Sequence, residues 1–381
     1  MQEKYEVAEV LERAWIQQET IKLNTWQLRT LDAIRRCRTA ALGGHIDACD
    51  SCGHISISYN SCRNRHCPKC QGEKREAWIA AREAELLPCP YFHVVFTLPN
   101  ELNQLAMHEP KTIYDSLFEA TWQTIQAFGK DSKHLHTPTE KGVKNGMVAV
   151  LHTWGQNLSL HPHLHCIIPG GGVDQRGHWR YTRVKGKFLY PVKALSAVFR
   201  AKYVAILRKK LVLEQSFYDS LFKKQWVVYA KRPFGNPKSV VEYLGRYTHK
   251  IAISNHRIVS IDEHMVTFSY KDYKNGAQKK AMTLNHNEFI RRFSQHILPK
   301  RLVRIRHYGI LSSTWKRGKL KDLQEKLWQK PMPPKPHKSA KVRPCPCCKS
   351  GNLRTILSFD YRGPPESYCE LWVKLNSSSK K

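Results

Sequence analysis

Three side-chain patterns in this chain have the types and spacing to do chemistry. The first is "HPHLHCIIPGGG", residues 161–172, where His161, His163 and His165 alternate with other residues. In a strand these three would project from one side, while Leu164 and Cys166 would face a core. One strand could thus offer two or three nitrogen ligands to a single metal ion. Gln156 and Asn157, in the polar loop just before it, are candidates with His161 for the third ligand. The glycines at 170–172 would let a backbone or a ligand come close.

The second pattern is cysteine. Twelve cysteines in clusters point to metal rather than to disulfides. Cys49-x2-Cys52 and Cys67-x2-Cys70 are separated by fourteen residues, close to the paired-knuckle zinc spacing. These four are expected to share one structural Zn2+, with Cys62 and His66 as further ligands nearby. With Cys62 and His66, Cys37, His45 and His54 in the same stretch are enough for a second ion. Arg63, Arg65 and Lys69 sit between the ligands and are expected to face a polyanion. In the tail, Cys345, Cys347 and Cys348 form another knuckle that could hold a second zinc through Cys345 and Cys348. Its local candidate partners are Cys369 and His337.

The third pattern is "SVVEYLGRYTHK", residues 239–250. Ser239 with Glu242 makes a capping box that starts a helix, so Tyr243 and Tyr247 fall one turn apart on one face. A phenol, with a pKa near 10, is a weak nucleophile. A divalent ion on the histidines could polarise a phosphate for it, giving a phosphotyrosine link. Lys250, one turn beyond Tyr247, could stabilise a phenolate or a phosphate oxygen.

The charge says what such a site would act on. There are 63 Lys and Arg against 31 Asp and Glu, a net charge of +32 spread along 381 residues. That excess favours nucleic acid as partner. No apolar stretch of membrane-spanning length and no secretory leader is present, so a cytoplasmic, nucleoid-associated protein is expected, with no membrane partner. A zinc-stabilised DNA-binding regulator would explain the cysteines and the charge but not the histidines and tyrosines. A zinc hydrolase on the histidines would need a general base, and no glutamate lies near them.

The elements that must position these residues mix strands and helices, which makes the fold class α+β. Residues 1–36 read as helical and 37–70 as a ligand-held module. A helix then runs to Pro88. A buried strand at 91–99 is followed by helix to about 128 and a second strand at 146–154. After the histidine strand come a hairpin at 178–191, a basic helix at 192–214 and a strand at 225–233. A meander at 250–284 turns at Lys274-Asn275-Gly276. A Pro- and Lys-rich linker at 330–344 leads to the cysteine-bearing tail. The expected domains are 1–88, helical and zinc-binding; 89–310, the nuclease; and 311–381, linker and tail.

"HLH" at 163–165 resembles the His-hydrophobic-His motif of the HUH endonuclease superfamily, and "YLGRY" resembles the helix of its two-tyrosine members. With "CDSCGH…SCRNRHCPKCQ", residues 35–310 are similar to the rolling-circle transposases of bacterial insertion sequences, relatives of the Helitrons. Plasmid replication initiators and relaxases share that active site. The resemblance implies a central antiparallel sheet with flanking helices, in which "FHVVFTLP" pairs beside the histidine strand. It also implies cleavage and rejoining of single-stranded DNA, with Tyr243 and Tyr247 each forming a 5′-phosphotyrosine and leaving a 3′-hydroxyl. The ion would be Mg2+ or Mn2+ on His163, His165 and a third residue, although imidazole also suits zinc. No G-x-x-x-x-G-K-[ST] motif occurs, so strand separation would fall to a host helicase.

Overall fold

A computed structural model describes residues 5–16, 22–231, 251–328 and 343–364, and single positions 234, 239, 243, 245 and 366. Tyr247, Lys250, Glu242, His337 and Cys369 lie outside the described residues. The fold is mixed α+β, built on a five-stranded antiparallel sheet as expected.

Strand β3 is Tyr91–Thr97, β4 is Gly146–Trp154, β5 is Leu160–Pro169, β8 is Val228–Ala230 and β12 is Ile305–Gly309. They lie in the order β12-β4-β5-β3-β8. The histidine strand is therefore central, hydrogen-bonded to β4 on one side and β3 on the other. All nine residues of β4 are buried, which is why its sequence reads as nearly continuous apolar residues.

Alternation along the three middle strands sorts their side chains onto two faces. Phe92, Val94 and Phe96, Met147, Ala149 and Leu151, and Leu164, Cys166 and Ile168 join one core cluster. Two helices cover that face, Pro110–Lys130 and Val192–Lys210. Both carry apolar residues at helical spacing, such as Ile113, Leu117 and Phe128, and Leu195, Phe199 and Leu207. The opposite face carries the histidines.

The basic helix ends at Lys210, where Leu211 turns extended, and a separate helix follows at Gln215–Lys223. The hairpin beyond the histidine strand pairs β6 (Gly171–Val173) with β7 (Trp179–Tyr181), earlier than expected. Its glycines serve backbone approach: a Cβ at Gly171 would lie 2.6 Å from the Arg180 carbonyl oxygen, and one at Gly172 2.6 Å from that of Lys144. The meander is present as β9 (Ile258–Ile261), β10 (Met265–Asp272) and β11 (Gln278–Asn285).

Packing crosses the boundaries that composition suggested. The first helices, Val7–Ile16 and Thr25–Arg35, share a core with Ile253, Phe268, Phe289 and Phe293. At the other end, β13 (Leu353–Phe359) joins β1 (Gly44–Cys49) and β2 (Ile55–Tyr59) in a sheet of order β13-β1-β2. The cysteine-bearing tail is thus a strand of the N-terminal module.

Candidate active site and metal centres

Register on the sheet assembles the histidine site. His163 on β5 stands opposite His152 on β4 and Thr97 on β3, while His165 stands opposite Val150 and Val95. His152, His163 and His165 bring one ring nitrogen each within 4.8 Å of the others. Nitrogens about 2.1 Å from a common ion lie roughly 3–3.5 Å apart, and His163 Nε2 is 3.2 Å from His165 Nε2. His163 Nδ1 is 2.6 Å from the His161 carbonyl oxygen, which accepts its proton and leaves Nε2 as a lone pair. His165 Nδ1 is 2.8 Å from Nε2 of His93 on β3, which leaves its Nε2 for the same point. The three imidazoles fit a divalent cation.

The group that converges differs from the expected one, with His152 beside His163 and His165. His161 is exposed at the start of β5 and stands outside the converging set. The β4–β5 register shifts between His152 and Trp154. His161 contributes its carbonyl to His163, and His152 is the third imidazole of the converging set. A 4.6 Å stack on Trp154 fixes the His152 ring, and the Arg304 guanidinium lies 5.2 Å from that Trp154 ring. Neither His152 nor His93 was singled out from sequence. Both sit in strands that were read, "GMVAVLHTW" and "FHVVFTLP", and only the pairing register shows that they face the histidine strand.

Tyr243 is helical and reaches this group through His93, the two ring centres lying 5.1 Å apart. Phe234 packs on Tyr243 at 5.1 Å, and Lys231 Nζ lies 4.9 Å from its ring centre. Burial, then the Lys231 charge, lowers the His93 pKa to about 4. His93 is therefore neutral near pH 7.

The cysteines divide differently from expectation. Cys37, Cys62, Cys67 and Cys70 form one cluster, and Cys49, Cys52, Cys345 and Cys348 another, the sulfurs of each lying within 4.8 Å of one another. The two N-terminal knuckles thus do not converge on one point. The strands of the β1–β2 hairpin carry Cys49 and Cys52 away from the short 3-10 turn Pro68–Cys70. In the first cluster Cys37 Sγ is 3.5 Å and Cys62 Sγ 3.7 Å from Cys70 Sγ. Cys62 is among the ligands expected from sequence, and Cys37 among the residues expected to serve a second ion.

His66 belongs to neither cluster. It is buried, and its Nε2 accepts from the Leu298 backbone N–H at 3.3 Å. Two basic neighbours expected to face a polyanion are also structural. Arg65 donates to the carbonyls of Leu298, Pro299 and Leu302, the last at 2.6 Å. Lys69 pairs with Glu6 and donates to the Cys37 carbonyl.

The family model described as "Putative transposase" matches residues 146–319, and one described as "Transposase zinc-binding domain" matches residues 8–98. A putative transposase of Sinorhizobium fredii, y4qJ, is 41% identical over 397 aligned residues, covering 95% of this chain and 98% of that protein. The transposase for insertion sequence element IS801 of Pseudomonas savastanoi pv. phaseolicola is 26% identical over 75% of this chain and 70% of its own length. No solved structure matches.

The chain belongs to this transposase family. As a DNA transposase it binds DNA, in keeping with its net charge of +32. The first matched region includes His152, His163, His165 and Tyr243. The second includes Cys37, Cys62, Cys67 and Cys70 together with Cys49 and Cys52, so the transposase carries a structural zinc-binding domain. Neither reaches Cys345 or Cys348. Among the described residues, no helix of the transposase is long and apolar enough to cross a membrane.

Proposed function

We propose that this transposase cleaves and rejoins single-stranded DNA through 5′-phosphotyrosine links, in rolling-circle transposition of an insertion sequence. The observation that carries the reading is Tyr243 placed one ring away, through His93, from three converging imidazoles. Mg2+ or Mn2+ on His152, His163 and His165 would polarise the scissile phosphate and offset charge on its oxygens. The Tyr243 hydroxyl attacks phosphorus, loses its proton to solvent and displaces the 3′-oxygen, which leaves as a hydroxyl. Lys231, whose Nζ lies 4.9 Å from the Tyr243 ring centre, adds positive charge where the phosphate would be attacked. His93 orients His165 and packs on Tyr243, so it couples nucleophile to ligands.

Tyr247, one helical turn on by sequence, is the proposed second nucleophile, so that one tyrosine can hold a DNA end while the other cuts. Lys250 is its proposed electrostatic support. Cys37, Cys62, Cys67 and Cys70 are the proposed ligands of the structural zinc in the domain. With no Walker-type motif in the sequence, a host helicase supplies single strands.

Covalent capture tests the reading. The protein is mixed with labelled single-stranded DNA carrying the element's ends and with Mg2+ or Mn2+. A denaturation-resistant adduct is expected, surviving Tyr243→Phe or Tyr247→Phe alone and vanishing in the double variant. Tight DNA binding without any adduct from the unaltered protein would reject it in favour of a DNA-binding role.

A further inference from the structure

Cys49 and Cys52 fall within the matched zinc-binding region, but Cys345 and Cys348, which complete their cluster, lie outside both matched regions. The geometry of the cluster is that of a metal site. Cys49 Sγ is 3.7 Å from Cys348 Sγ, and Cys52 Sγ is 3.7 Å from Cys345 Sγ. Four thiolates about 2.3 Å from one zinc, at tetrahedral corners, stand about 3.8 Å apart. A disulfide would need sulfurs about 2.05 Å apart. Backbone amides aim at the sulfurs, as a set of thiolates requires: Ser51 N–H donates to Cys49 Sγ at 3.4 Å and Gly351 N–H to Cys348 Sγ at 3.3 Å. A Cβ on Gly351 would stand 2.5 Å from Cys49 Sγ, so the close approach needs glycine there.

The surrounding sheet delivers both knuckles. The first is the turn between β1 and β2, whose strands pair from Gly44–Tyr59 to Ala48–Ile55. The second is closed by the Cys345 N–H to Gly351 carbonyl bond at 2.8 Å and runs directly into β13. There Leu353 pairs with Cys49 and Phe359 with Gly44. The buried Asp47 carboxylate on β1 accepts two bonds from Arg343, at 2.6 and 2.8 Å, and one from Thr355 at 2.7 Å. Asp50 accepts from the Asn352 N–H at 2.8 Å. Ile46 and Ile55 are buried in this sheet, yet they belong to none of the three apolar clusters among the described residues. A sheet this small, without a core of its own, needs a staple.

We propose that Cys49, Cys52, Cys345 and Cys348 bind a second zinc ion, forming a ribbon whose two knuckles come from opposite ends of the chain. The zinc fastens the C-terminal segment to the N-terminal module, so the module is complete only when residues 343–359 have docked. The site is separate from Cys37, Cys62, Cys67 and Cys70, and it is independent of the nuclease reading.

The test is zinc per chain, by native mass spectrometry with elemental analysis for zinc and iron, on full-length protein. The unaltered chain and Cys347→Ser should each hold two zincs. Cys345→Ser/Cys348→Ser should hold one, as should Cys62→Ser/Cys70→Ser. Two zincs retained in Cys345→Ser/Cys348→Ser would overturn the proposal, as would one zinc in the unaltered chain or iron in place of zinc. Cys348→His, which keeps four donors, guards against a double variant that does not fold. With cobalt replacing zinc, it should change the ligand-field spectrum of half the bound cobalt. An unchanged spectrum would also overturn the assignment.

Discussion

His93 Nε2 lies 2.8 Å from His165 Nδ1, with the two rings stacked at 5.1 Å and 13°. With His165 Nδ1–H donating to His93 Nε2, the His165 Nε2 lone pair faces His163 and His152. His93 also touches Tyr243, so the strand β3 histidine links the proposed nucleophile to the proposed ligands. Replacing it as His93→Gln should weaken Mn2+ activation and cleavage about 10- to 100-fold, the usual effect of losing a partner behind a ligand. DNA binding should be unchanged. A variant with normal metal dependence would reduce His93 to packing.

His152 and His161 as third ligand make opposite predictions. His152→Ala should lower adduct formation by about a hundredfold or more, because losing the Lewis acid removes several kcal/mol of transition-state stabilisation. His163→Ala/His165→Ala should abolish cleavage while leaving DNA affinity nearly intact. His161→Ala keeps the carbonyl that holds His163 and should cost only about two- or threefold. Single-turnover cleavage at varied Mn2+ decides between them, and a larger loss in His161→Ala than in His152→Ala would reverse the assignment.

These contrasts show where the sequence was readable. Period-two alternation was enough to send Leu164 and Cys166 to the core and His163 and His165 to the other face, because one strand decides that by itself. It could not supply His152 or His93, which join the site through the pairing of β5 with its two neighbours. The cysteine spacing was readable as zinc knuckles. Which knuckle meets which was not, since Cys49 and Cys52 find their partners at Cys345 and Cys348 through β13, almost the whole chain away. Charge misled locally for a similar reason: Arg65 looks like a phosphate contact until the carbonyls of residues 298–302 are folded around it.

Arg65 therefore separates stability from DNA binding. Its guanidinium is held by three backbone carbonyls, and burial lowers its pKa. Arg65→Gln should destabilise the protein by about 2–3 kcal/mol, since hydrogen bonds from a charged donor are lost around buried acceptors. The unaltered protein should show DNA affinity falling steeply with log salt. That slope should be the same in Arg65→Gln, measured below its melting temperature. A slope smaller by about one would return Arg65 to the phosphate-contacting set.

Acid should destabilise the fold through histidines buried in the neutral form. His296 is held between Thr153 and the Leu158 carbonyl, and burial lowers its pKa to about 4. Burial, then Lys316 and Arg82, lowers that of His307 to about 3. Both titrate near 6.5 when unfolded. Below that pH the unfolded chain takes up protons that the folded chain refuses, so the unfolded state gains. Their contribution is therefore complete above about pH 6.5 and is lost as pH falls towards 4, by about 1.4 kcal/mol per pH unit for each histidine. Urea denaturation at pH 7 and pH 5 measures the loss. In His296→Gln the difference between the two pH values should shrink by the share of one histidine, whatever the variant costs at pH 7. An undiminished difference would mean that His296 takes up its proton in the folded chain as readily as in the unfolded one, and the environment between Thr153 and Leu158 would have to be more polar than its burial indicates.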